Sequence, residues 1–214
     1  MMQFRIVKEA LVKTLGDQAA SRFRVIGYQR QSKSTDELTG NNRLVQCYYS
    51  DGDFKKGAGK MRGPKMHDIT IDINVSASAK AQCDVTILDS PAATQSQKAQ
   101  ALADLKYAAE LADQSVDETI DAVYQIIMDA RNEYLGLEKD ALSSRWLDRV
   151  QKDTIIERGD LVVKTANMKY SCRVQEDVAG EIGNEPDTVI FNSELPVDDT
   201  EGAGVTVEND NTED

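Results

Sequence analysis

From Asp68 to Ser76 the chain alternates without a miss: Ile69, Ile71, Ile73 and Val75 interleave with Asp68, Thr70, Asp72, Asn74 and Ser76. A period of two sends successive side chains to opposite sides, so this stretch is a strand with one dry face and one wet face. A parallel sheet covered on both sides reads instead as a continuous apolar run. The alternation therefore points to an α+β fold, an antiparallel or mixed β-sheet with helices packed on one face.

The helices for the dry face are visible in the spacing of apolar residues. Phe4, Val7, Leu11 and Leu15 recur at three- and four-residue steps, with Lys8 and Lys13 off the stripe and Gly16 as a stop. Leu102, Leu105, Ala109 and Ala112 predict a helix over 95–113. A second helix is expected from Ser115, with Glu118 completing a capping box and Val116, Ile120, Val123, Ile127, Ala130 and Tyr134 on its stripe. Further strands are expected at Phe23 to Tyr28 and at Leu44 to Tyr49, where Val45, Cys47 and Tyr49 share a face. After a connection containing Trp146 and Leu147, the runs Asp153 to Glu157 and Leu161 to Val174 read as a hairpin. Val162, Ala166, Met168, Tyr170, Cys172 and Val174 form its apolar face.

Charge divides the chain. Residues 174–214 hold 13 Asp and Glu and no Lys or Arg, whereas residues 1–173 hold 25 basic and 24 acidic residues. The body is thus nearly neutral, and the net charge of −12 belongs to an appendage. We expect a folded unit over 1–175 and an acidic extension over 176–214, disordered on its own because it cannot bury enough apolar surface to offset the entropy of ordering. Val189, Ile190 and Phe191 interrupt that polarity and form a candidate docking segment that could add as a strand to a neighbouring subunit. No stretch approaches the ~20 apolar residues of a membrane span, and the first residues lack the layout of a secretion signal, so a soluble, intracellular product without membrane contact is expected. Cys47, Cys83 and Cys172 lie in apolar or strand-like stretches without paired spacing and read as reduced, buried thiols.

Chemistry is sparse. Lys55, Lys56, Lys60, Arg62 and Lys65 surround three glycines, but Phe54 stands where a phosphate loop needs its first glycine and Met61 where it needs Ser or Thr. This cationic segment is either a solvated hairpin connection or a contact for an anionic partner surface or DNA phosphates. His67 is the only histidine and adjoins the alternating strand, so no catalytic triad and no multi-histidine metal site can be assembled within one chain. Asp68 and Asp72 are about 13 Å apart along the strand, too far for a carboxylate pair, and belong to a solvated face. Arg158-Gly159-Asp160 is a turn. These observations imply no cofactor, no metal and no enzyme activity.

Three stretches carry a family resemblance: the strand HDITIDINVSASA (His67 to Ala79), the helix DETIDAVYQIIMDA (Asp117 to Ala130) and the run WLDRVQKDTIIERGDLVVKTANMKYSCRVQ (Trp146 to Gln175). In this order, after an amphipathic first helix and a polar excursion, they resemble the tail terminator proteins of long-tailed bacteriophages, the lambda U type. The likeness spans most of residues 1–175, with 82–115 as an insertion and the acidic tail as an extension. It implies a virion protein, assembled in the host cytoplasm, that forms a ring, usually a hexamer, at the head-proximal end of the tail. Such a ring ends tail-tube polymerisation and offers the head-joining surface. The implied partners are further copies of itself, the tail-tube protein and a head-completion or neck protein. DNA passes through the lumen without specific binding, for which Asp68 and Asp72 are the candidate lumen-facing carboxylates. A head-completion or neck protein and a non-virion acidic adaptor are the competing expectations.

Overall fold

The computed structural model describes residues 3–19, 21–28, 42–55, 65–139, 141–153 and 156–176. The alternating stretch is the middle of β3 (Lys65–Lys80), and its register explains the pattern. β3 lies between β2 (Arg43–Lys55) and β6 (Leu161–Glu176), antiparallel to both. β4 (Leu142–Lys152) and the short β5 (Ile156–Arg158) pair antiparallel with β6, and β1 (Arg24–Ile26) pairs parallel with β2. The order β1-β2-β3-β6-β4, with β5 also on β6, makes one mixed six-stranded sheet. The α+β architecture expected from the alternation is the one observed.

Two helices cover one face. On α1 (Gln3–Gln18), Val7, Leu11 and Leu15 are buried against the sheet, each side chain contributing about 1.5–3 kcal/mol by leaving water. The expected stop at Gly16 is not used, and the helix continues to Gln18. α2 (Gln95–Met128) is a single helix of 34 residues. It corrects the expected pair: the capping box is Thr94 with Gln97, and Ser115 lies in mid-helix. There Ser115 and Glu118 face across to Arg43 on β2, whose Nη2 is 3.4 Å from the hydroxyl and 2.5 Å from the carboxylate. Val116, Val123 and Ile127 are buried as expected, but Ala130 and Tyr134 lie beyond the helix.

The predicted stripe of the N-terminal half holds at Ala112 and, partly buried, at Leu105 and Ala109, but not at Leu102. Ala101, Ala108 and Ala112 are buried, while Leu102 is 45% exposed. Ala108 and Ala112 pack with Ala79, Ala81 and Val162, a cluster of small side chains that lets helix and sheet approach closely. The segment around Trp146 and Leu147, expected as a connection, is the strand β4. The expected hairpin around Gly159 is present, with its first strand at Ile156–Arg158 and Gly159 in the left-handed region at φ 61°. Cys47 and Cys172 are buried, and Cys83 is half-exposed, with Sγ 3.6 Å from the Ala101 carbonyl oxygen. Among the described residues, no helix is long and apolar enough to cross a membrane.

Candidate subunit interface: the edges and open face of the sheet

Among the described residues both helices lie on one side, so the sheet presents an open face and two edges, and each is specified by register. On the open face Asp68 and Asp72 project from β3, as the alternation predicts. They are not bare carboxylates. Arg173, opposite Asp68 on β6, donates from Nε at 2.5 Å and Nη2 at 2.9 Å to its two oxygens. Lys169, opposite Asp72, lies 3.9 Å from that carboxylate. Their side chains are 21% and 16% exposed, so the face expected to be fully solvated is a half-buried polar layer.

The layer continues sideways as cross-strand hydrogen bonds. Asn167 donates to Asn74 at 2.8 Å, and Asn74 donates to the Tyr48 hydroxyl at 3.0 Å. Burial and the Asp72 charge push the Tyr48 phenol up, and the Asn74 hydrogen bond works against them. Ser171 and the Trp146 indole both donate to Asp148. Most of these groups satisfy one another, as polar groups withdrawn from water require, whereas Asp72 Oδ1 is buried without a hydrogen-bond partner among the described residues.

One edge is β2. β1 covers only Leu44, Val45 and Gln46, so from Cys47 to Lys55 the outer edge has no strand partner among the described residues. A bulge at Ser50 bends this stretch, and the Asp51 carboxylate accepts from the Gly52 N–H at 2.8 Å. Gly52 is required by its neighbours: a Cβ there would stand 2.6 Å from the Tyr49 hydroxyl and 3.2 Å from the Asp68 carbonyl oxygen, and against His67 Nε2. His67 lies within β3 and is fully buried, with the Phe54 ring stacked 4.0 Å from it. Beside the edge runs a groove of about 480 Å³ lined by Phe4, Arg5, Lys8, Tyr28, Tyr48 and Tyr49. Burial, then the charges of Asp51 and Asp53, raise the Tyr49 phenol.

The other edge is β4, whose outer side also has no strand partner among the described residues. It is held down from beneath. The Arg145 guanidinium donates to the carbonyl oxygens of Ile127, Asp129 and Asn132, capping the end of α2. Lys152 is 2.6 Å from Asp117 and 3.4 Å from Asp113 on α2, and its ammonium is stabilised by hydrogen bonding to Asp117 above all. Arg149 is exposed and shares its row with Lys169.

Of the cationic segment, Lys55 and Lys65 close the ends of β2 and β3, in adjacent rows of one antiparallel pair. Lys56, Lys60 and Arg62 lie outside the described residues, as do Val189, Ile190 and Phe191 and the whole acidic extension. Arg173, Arg145, Arg149 and Gly52 were not singled out in the sequence. The signal for Arg173 was present, because Lys169, Ser171 and Arg173 alternate with the apolar face of β6. Among the described residues, no three His, Cys, Asp or Glu side chains converge in a way that would hold a metal. No protein-family model matches this chain, and no curated protein matches it either.

Proposed function

We propose that this chain is a structural protein of a long-tailed bacteriophage, a tail-terminator-like subunit that closes into a ring at the head-proximal end of the tail. The observation that carries the reading is a one-sided sheet with two edges lacking strand partners among the described residues. Unpaired edges are aggregation sites in an isolated domain, and repetition of the same contact around a ring removes them. The order of elements behind the resemblance, from amphipathic helix to the closing strand β6, supports the same assignment.

In this reading the ring stops growth of the tail tube and presents a surface to the head-completion protein. Because Asp68 and Asp72 each face a cation, the open face offers DNA a neutralised polar layer, and weak adhesion rather than strong repulsion lets DNA slide past it. The cationic segment from Lys55 to Lys65 meets an acidic neighbour.

Electron microscopy of phage lysates lacking this protein tests the assignment. Abnormally long tubes without heads are expected, and normal-length tubes with intact head joining would overturn it. Normal-length tubes that fail to join heads would assign the protein to the neck instead. Charge reversal at Lys55, Lys56 and Lys60 is expected to lower head joining, and an unchanged yield of joined particles would remove the role of that segment.

A further inference from the structure

We infer that the two sheet edges are halves of one contact: the β4 edge of one copy pairs antiparallel with the Cys47–Lys55 edge of β2 in a second copy. This rests on the ring reading and names its surfaces.

Strand direction comes first. β2, β3, β6 and β4 alternate in direction across the sheet, so a second copy set alongside in the same orientation brings its β2 antiparallel to the first copy's β4. Antiparallel pairing needs no reorganisation of either edge, and β4 spans 11 residues against the nine from Cys47 to Lys55.

Charge supplies the second argument. On the open-face side, the β2 edge carries exposed Asp51 and Asp53, and the β4 edge carries exposed Arg149 beside an Asp148 already engaged by Ser171 and the Trp146 indole. Neither Asp53 nor Arg149 has an ion-pair partner among the described residues, and Lys169 beside Arg149 leaves that row with surplus positive charge. With Arg149 opposite Asp53, both on the open face, Val150 comes opposite Gly52 and Gln151 opposite Asp51. On the other side of the sheet, Phe54 and Val150 are 47% and 45% exposed, and both extend the helix-covered face. Pairing the edges brings these apolar side chains onto one surface. Pairing like with like would instead set Asp51 and Asp53 against their own copies, or Arg149 against Arg149, which cross-strand electrostatics disfavour. The contact is therefore heterologous, and repetition closes a ring or extends a filament.

Cross-linking of the full-length chain tests it. In a Cys83→Ser background, which leaves the buried Cys47 and Cys172, Asp51→Cys and Gln151→Cys together are expected to give a ladder of covalent multimers under mild oxidation. Chains carrying either cysteine alone should give none, and a mixture of the two single variants should give dimers. Adding Arg149→Asp should reduce the ladder about tenfold, the equivalent of one favourable charge pair, and further adding Asp53→Arg should restore it. Restoration also shows that the variants fold. Dimers from one cysteine alone would overturn the heterologous pairing. A sample that sediments as a multimer but gives no ladder would overturn these surfaces while leaving the ring in place. A monomer at every concentration, and in the presence of tube ends, would remove both.

Discussion

Arg173 holds Asp68 with two nitrogens, Nε at 2.5 Å and Nη2 at 2.9 Å, across 105 residues of sequence. Both side chains are half-buried, and the hydrogen bond to Asp68 is the main reason the Arg173 guanidinium keeps its proton more firmly than usual. Arg173→Met should lower the urea midpoint, because it removes the forked donor from a carboxylate that the sheet keeps out of bulk water. Adding Asp68→Asn should recover part of the loss, since a neutral amide is less costly to hold there. Arg173→Lys should rescue incompletely, because an ammonium cannot donate two parallel hydrogen bonds in that geometry. Equal midpoints for all four proteins would show the pair to be energetically neutral.

Gly52→Ala is expected to destabilise by about 1–3 kcal/mol, the usual range for overpacking a filled site. The new methyl meets the Tyr49 hydroxyl and the buried His67 ring, and the Asp68 carbonyl oxygen stands behind them. Equilibrium denaturation measures the loss. Tyr49→Phe in the alanine background should recover part of it by removing one of the clashing atoms, whereas a wild-type midpoint for Gly52→Ala alone would mean the edge yields freely.

The thiols predict reactivity and an alkaline limb. Burial pushes Cys47 up to about 12, and burial, with a smaller push from the Asp68 charge, takes Cys172 up to about 12. At pH 8 a thiol reagent should modify half-exposed Cys83 in the folded state, more slowly than a free thiol because burial and then Asp104 hold it protonated, and reach the other two only through unfolding. In the unfolded chain both thiols ionise near 9.0, so their contribution to stability is complete below that pH and declines as pH rises toward 12. Cys47→Ala with Cys172→Ala should flatten the fall in stability between pH 9 and 11, and an unchanged slope would assign the limb to other groups.

The core of the fold was legible where local period and burial agree. Ile69, Ile71, Ile73 and Val75, the α1 stripe of Val7, Leu11 and Leu15, and the apolar face of β6 all stand where their spacing puts them. Ser115 misled because a capping box is a local motif, whereas the helix continues there with both side chains turned to Arg43. Leu102 misled for a different reason: hydrophobicity ranks it above Ala101, but the inward face of α2 is set by its packing, and that face carries Ala101, Ala108 and Ala112. β4 was hidden by its register shifts at Leu142/Ser144 and Leu147/Arg149, which change the phase of alternation and erase the period of two. Of the candidate interface, Asp68 and Asp72 were visible as residues and invisible as ion pairs, since their cations come from the far end of the folded unit.

The central seam of the sheet joins β3 to β6, strands made at very different times during synthesis. Pairings between such distant segments carry a large loop-closure penalty and form slowly. A nascent chain can build α1 and the β2–β3 hairpin early, yet β3 waits for its inner partner until Glu176 has cleared the ribosome. Until then β4 has no strand to lie against. Copies translated together on one messenger therefore have no finished border to recognise, and each must complete itself before it can join another.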